Sequence, residues 1–128
     1  MIIIIDDDPV SSKIAALSIK KGLPDRECLI FNNPVVALKD IVALRNNQPE
    51  LNPLLLIDIN MPEMNGWEFI EALDEQMPEK DNQYLGMILS SSVDPADIDK
   101  AKSYQRIVKF LTKPFTLDTT ALLKQYLF

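Results

Sequence analysis

Four places in this sequence set chemically able side chains directly after an apolar run. Asp6, Asp7 and Asp8 follow Ile2–Ile5, and Asp58 follows Leu54–Ile57, with Asn60, Met61, Pro62 and Gly66 just beyond it. Ser90, Ser91 and Ser92 follow Leu85–Leu89, and Thr112 and Lys113 follow Ile107–Leu111. Ionised carboxylates about 5 Å apart repel by roughly 3 kcal/mol per pair at an effective dielectric of about 20. Such a cluster raises its own pKa values unless a cation enters. Hard oxygen ligands suit Mg²⁺, which binds through one or two carboxylates and keeps several waters; Ca²⁺ wants more protein oxygens than are found here. Lys113 could pair with Asp58 and supply a second positive charge. A group transferred to Asp58 would then meet a metal, an ammonium and a hydroxyl donor, which are the means of stabilising phosphoryl oxygens. Each residue alone has a plainer reading: Asp8 and Asp58 as helix caps, Ser90 as a loop hydroxyl, Lys113 as a solvated charge. Their joint placement favours a site.

The elements that must position these residues are legible in the apolar pattern. Runs suited to buried parallel strands occupy Ile2–Ile5, Cys28–Phe31, Leu54–Ile57, Leu85–Leu89 and Ile107–Leu111. Between them, apolar residues recur at helical spacing: Val10, Ile14 and Leu17; Val35, Leu38 and Val42; Ile70, Leu73 and Met77; Ile98 and Ala101; and Leu122, Leu123, Tyr126 and Leu127. Asp8-Pro9, Asn33-Pro34 and Asp94-Pro95 each set a capping side chain before a proline at the first helical position. Thr116 is a cap for the last helix, Gly22 and Pro24 close the first, and Gly66 opens the third. Five βα units in succession predict an α/β fold with a parallel sheet, right-handed crossovers and helices on both faces. In that arrangement all four polar groups share the carboxyl edge of the sheet, where such folds bind ligands. The predicted organisation is a single domain over 1–128, without repeats or linkers.

Composition narrows the function. The chain has 128 residues, with 47% apolar and 25% charged residues, the balance of a soluble globular domain. Its net charge of −6 and pI of about 4.6 disfavour direct nucleic-acid binding. No stretch approaches membrane-spanning length, and Met1–Ile5 is too short for a signal sequence, so the expected compartment is the cytoplasm. Cys28 is the lone cysteine and is expected to be a buried thiol. Histidine is absent, which excludes histidine-based acid/base chemistry, histidine metal ligands and phosphohistidine within this chain.

Four segments in order carry a family resemblance: Ile4-Ile5-Asp6-Asp7-Asp8, Leu56-Ile57-Asp58-Ile59-Asn60-Met61-Pro62-Glu63-Met64-Asn65-Gly66, Ile88-Leu89-Ser90-Ser91-Ser92 and Phe110-Leu111-Thr112-Lys113-Pro114-Phe115. The set resembles the receiver domain of two-component response regulators, the single-domain chemotaxis regulators among them. The resemblance implies a flavodoxin-like, doubly wound five-stranded sheet of order 2-1-3-4-5 with five helices. It implies that Asp58 accepts a phosphoryl group from a sensor histidine kinase or histidine phosphotransfer protein. Asp7, Asp58 and the backbone carbonyl of Asn60 would ligate Mg²⁺, for which Mn²⁺ could substitute, and Asp6 would act through a metal-bound water. Ser90 would bond one phosphoryl oxygen and Lys113 another. Ser90 and Phe110 match the switch positions, although Phe110 lacks the hydroxyl of the family's common tyrosine and reads equally as core filler. Asn60 and Ser92 fall where dephosphorylation is tuned, and the Lys113-Pro114 bond is often cis in this family. Trp67, near the phosphorylation loop, reads first as a helix-packing residue. The implied role is a signalling domain that promotes its own phosphorylation and dephosphorylation, with a downstream partner on the helix 4–strand 5–helix 5 face.

Two other classes compete. An aspartyl-phosphate hydrolase of the haloacid-dehalogenase type resembles Asp-x-Asp, but Asn60 stands at the second acid here. A phosphorylation-independent interaction module of the same fold commonly loses the acids or the lysine, and this chain keeps them.

Overall fold

In the computed structural model, residues 1–77, 84–91 and 94–127 are described. Five strands alternate with five helices: β1 (Ile2–Ile5), α1 (Pro9–Gly22), β2 (Cys28–Phe31), α2 (Pro34–Asn47), β3 (Leu54–Ile57), α3 (Gly66–Gln76), β4 (Leu85–Ser90), α4 (Pro95–Ala101), β5 (Ile107–Thr112) and α5 (Leu117–Leu123), followed by a 3₁₀ turn at Lys124–Tyr126. All strand pairs are parallel and the order is β2-β1-β3-β4-β5. This is the predicted flavodoxin-like architecture. β4 and β5 each run one residue further than predicted, because Ser90 and Thr112 form a last rung of the ladder.

The central strands are apolar throughout because both of their faces are covered. Ile3, Ile5, Leu55 and Ile57 pack with Leu38, Ile41, Phe69 and Ile70 of α2 and α3. Ile2, Ile4, Leu54 and Leu56 pack with Ala15 and Ile19 of α1 and Leu123 of α5. Asp8 and Asp94 accept hydrogen bonds from Val10 and Ala96 N–H, and Asn33 accepts from Val35 and Val36 N–H, each ahead of a proline. Thr116 caps α5, its own N–H donating to Thr119 Oγ1 at 3.2 Å.

Helix α1 presents a different face from the one that apolar spacing singles out, whereas α2 departs from it only at Val35, with Leu38 buried and Val42 packed half-buried on the core. On α1, Val10, Ile14 and Leu17 are 67%, 46% and 58% exposed, whereas Ser12, Ala15 and Ile19 are buried. Small residues set that inner face because α1 approaches its neighbours closely; a Cβ on Gly22 would lie 2.3 Å from Thr120 Oγ1 of α5. The Ser12 hydroxyl donates to Pro9 O and accepts from Asn32 Nδ2, so its burial is satisfied. On α2, Val35 is exposed and the buried stripe is Pro34, Ala37, Leu38 and Ile41. On α3, Ile70, Leu73 and Met77 are all buried, as predicted. Cys28 is half-buried on the edge strand β2 rather than fully buried as expected, and desolvation pushes its thiol up to about 11.

Candidate functional site

Backbone geometry brings the acids together. The Asp6 N–H donates to Phe31 O at 3.0 Å and the Asp58 N–H to Ile5 O at 2.9 Å, so both residues continue the sheet ladder past the strand ends. The strand order reverses between β1 and β3, where α1 leaves to one face and α3 to the other, opening a crevice. Asp6, Asp7 and Asp58 meet at its mouth, each offering a carboxylate oxygen within 4.8 Å of the others. Asp6 and Asp58 are buried, at 1% and 6% exposure, and Asp7 is half-buried. A compact set of carboxylate oxygens at the end of a rigid sheet fits a hard divalent cation.

Lys113 reaches this cluster from β5, its N–H held by Ser90 O at 2.8 Å. Its Nζ donates to Asp6 Oδ2 at 2.9 Å and lies 3.7 Å from Asp58 Oδ2. The pairing predicted for Asp58 therefore goes first to Asp6. Asp58 is left with weaker compensation, a 3.4 Å hydrogen bond from the Asn60 N–H. Desolvation by burial raises its pKa to about 6, the Asp6 charge adds to the rise, and Lys113 and the Asn60 N–H oppose it. Desolvation and the neighbouring Asp6 charge together disfavour the ionised form of Asp58.

The remaining predicted residues take varied positions. Ser90, the last residue of β4, is fully buried. Asn60 is exposed just beyond Asp58. Phe110 pairs with Ile88 in the ladder and packs half-buried against the α2–α3 core, two rungs short of the strand end. Asp8 is exposed and serves as the α1 cap, and Thr112 and Ser91 are exposed. Ser92 lies outside the described residues. The Lys113-Pro114 bond is cis. Trp67 is buried and stacked on Tyr104, with ring centroids 5.4 Å apart and planes 9° from parallel.

One residue of the site was not singled out from the sequence. Asn32 Nδ2 donates to Asp6 O at 2.7 Å and ties the end of β1 to that of β2; its position directly after a strand was the available signal. Gly66 N–H donates to Ile59 O at 2.8 Å, and a Cβ there would lie 2.5 Å from Asp58 O, so only glycine lets α3 start against the Asp58 loop. A cavity of about 540 Å³ at the amino edge of the sheet, lined by Met1, Leu51, Tyr84 and Tyr126 among others, is remote from the acids and takes no part.

A doubly wound parallel sheet with an acidic crevice at its switch point belongs to the α/β folds that bind ligands beyond the carboxyl ends of their strands. Within that class, a family model for the response regulator receiver domain matches residues 2–125. The chain belongs to this family, the receiver domains of two-component systems. A two-component response regulator from Cytophaga hutchinsonii is similar at 26% identity, with a TM-score of 0.86 over 98% of this chain and 93% of that one. One from Legionella pneumophila is also 26% identical, with a TM-score of 0.78 over 98% and 95% of the two chains. The chemotaxis protein CheY4 of Vibrio cholerae, 20% identical, shares the fold with a TM-score of 0.75 over 99% of this chain and 97% of its own. Among the described residues no helix is long and apolar enough to cross a membrane.

Proposed function

We propose that the chain is one receiver domain whose Asp58 accepts a phosphoryl group from the phosphohistidine of a sensor histidine kinase or phosphotransfer protein. The observation that carries this is the buried, undercompensated Asp58 carboxylate, within reach of Asp6, Asp7 and Lys113. A carboxylate oxygen of Asp58 attacks phosphorus in line; the new O–P bond forms as the donor's N–P bond breaks, and the electron pair leaves with the imidazole. When bound, Mg²⁺ (or Mn²⁺), held by Asp7, Asp58 and the Asn60 carbonyl with Asp6 through a water, supplies positive charge to the phosphoryl oxygens. The Asn60 N–H orients the attacking carboxylate. Lys113 leaves its bond to Asp6 for a phosphoryl oxygen, and the Ser90 hydroxyl donates to another.

That movement draws the segment after β4 inward and biases a pre-existing equilibrium at the α4–β5–α5 face, with Phe110 answering through ring packing alone. The donor approaches over α1. Val10 and Ile14 there flank a groove of about 350 Å³ with Lys113, Pro114 and Phe115, and Leu17 continues the apolar stripe. Exposed apolar residues beside the acceptor give a donor helix its footing. Asn60 in place of a second acid supports signalling rather than turnover of external substrates.

Incubation with acetyl phosphate and Mg²⁺, followed by intact mass measurement, tests the proposal. One phosphoryl adduct is expected, absent from Asp58→Asn. An unlabelled wild-type chain, under conditions that label another receiver, would favour a phosphorylation-independent module.

A further inference from the structure

β1 outruns its edge-strand neighbour at the acidic end of the sheet. The Asp6 N–H completes the ladder on Phe31 O at 3.0 Å, and the Asp6 carbonyl faces the same side, since both groups of a strand residue point one way. A continuing ladder would satisfy that carbonyl from the backbone of β2. β2 ends at Phe31, however, and the chain turns into α2 with Asn33 already serving as its cap. The Asn32 side chain takes the place of the missing rung, its Nδ2 donating to Asp6 O at 2.7 Å. The same nitrogen donates to Ser12 Oγ on α1 at 3.0 Å, and the Ser12 hydroxyl donates onward to Pro9 O at 3.1 Å. A carbonyl oxygen only accepts, so the amide nitrogen of Asn32, and not its oxygen, must face Asp6.

Asn32 as a whole is exposed, whereas Asp6 and Ser12 are each 1% exposed. An amide that water could satisfy is instead spent on joining the end of β1 to α1. Asp6 is thereby held at four points: its N–H by Phe31 O, its carbonyl by Asn32, Oδ1 by the Asp8 N–H at 3.0 Å and Oδ2 by Lys113 Nζ at 2.9 Å. Asp7 joins this frame through the Asp6–Asp7 peptide, and Asn32 holds the carbonyl of that peptide. The direction in which Asp7 sends its side chain follows from how the peptide is held, and its carboxylate meets those of Asp6 and Asp58 within 4.8 Å. The residue type matters. An ionised aspartate at this place could donate to neither acceptor and would add a charge to an edge already crowded with acids.

We propose that Asn32 is a positioning residue of the acidic site, its amide fixing the Asp6–Asp7 peptide so that Asp7 keeps its carboxylate in place for a divalent cation. The role rests on the receiver reading for the identity of that cation, Mg²⁺. Groups that orient a ligand without touching the metal set a large share of its affinity.

Calorimetric titration of Mg²⁺ into the full chain near neutral pH tests this. Asn32→Ala should raise the Mg²⁺ Kd about tenfold, and labelling by acetyl phosphate should need correspondingly more Mg²⁺ to reach half its maximal rate. In the metal-free ¹⁵N-labelled chain the same substitution should shift the amide of Asp7, whose nitrogen shares a peptide with the Asp6 carbonyl. Ser12→Ala should weaken Mg²⁺ binding by itself and add little in the Asn32→Ala chain, because both act through one amide. Ile19→Ala, toward the other end of α1, is the control for stability; its Mg²⁺ Kd should stay within about twofold of wild type. Full-strength binding in Asn32→Ala would overturn this role and leave the receiver reading standing. So would amide shifts that stop short of Asp7, fully additive losses with Ser12→Ala, or an equal loss in Ile19→Ala, which would tie affinity to stability. A wild-type chain that binds no Mg²⁺ would overturn the metal reading and the Asn32 role with it.

Discussion

Asp58 and Asp6 are neighbours of the same chemical type that sit at different distances from the one ammonium between them. Lys113 stands 2.9 Å from Asp6 and 3.7 Å from Asp58, so the ammonium stabilises the first and leaves the second poorly compensated. The Asp58 carboxyl consequently rises from its ordinary 3.8 to about 6. Because the folded chain holds this proton more tightly than the unfolded chain, stability falls as pH rises from about 4 to about 6, and the cost persists above that. In metal-free buffer, Asp58→Asn should therefore raise stability near pH 7.5 by about 1–3 kcal/mol, the gain vanishing toward pH 4. Urea unfolding at both pH values checks this; a variant less stable than the wild type at neutral pH contradicts the assignment. The candidate acids, the lysine and the serine were all legible, because strand-end polar residues in a βα repeat have one edge to share. Which acid Lys113 prefers was not, since that choice turns on less than an ångström of side-chain placement.

Elements were legible in their existence and less so in their orientation. Apolar runs and Asp-Pro or Asn-Pro caps located the strands and helices, because each signal is local. The inner face of α1 was misread: Val10, Ile14 and Leu17 have the larger side chains, but close packing against the sheet and α5 selects Ser12, Ala15 and Ile19. Hydrophobic spacing alone does not distinguish a buried stripe from an exposed one on the same helix. Leu17→Ser should accordingly change stability by no more than about 0.5 kcal/mol, whereas Ile19→Ala should cost about 2–4 kcal/mol. Chemical denaturation of the two variants separates the faces, and comparable losses would restore the original orientation. At the start of α3 the constraint is steric. Gly66→Ala must displace the Asp58 loop, at a cost of about 1–3 kcal/mol, and should also slow acetyl-phosphate labelling. Full labelling in a destabilised Gly66→Ala chain would show that the loop yields without disturbing the acceptor.

For the whole molecule, a divalent ion held by the acid cluster would link binding to folding. The carboxylates that meet within 4.8 Å follow β1 and β3, residues far apart in the unfolded chain, so such an ion would recognise the folded state. Mg²⁺ at a hundredfold excess over its Kd should stabilise the chain by about 2.7 kcal/mol and raise Tm by several degrees. Thermal unfolding with and without EDTA measures this; a Tm indifferent to Mg²⁺ would remove the metal from the proposed chemistry. The succession of strands and helices along the chain, the kinds of residue at the strand ends and the caps of the helices were determined by the sequence itself, because alternating apolar runs, prolines and turn residues act over a few positions. Two things were decided only in the tertiary structure: the partner of Lys113 and the face that α1 turns inward. Each depends on distances between segments remote along the chain, which local pattern does not encode and packing of the whole sheet does.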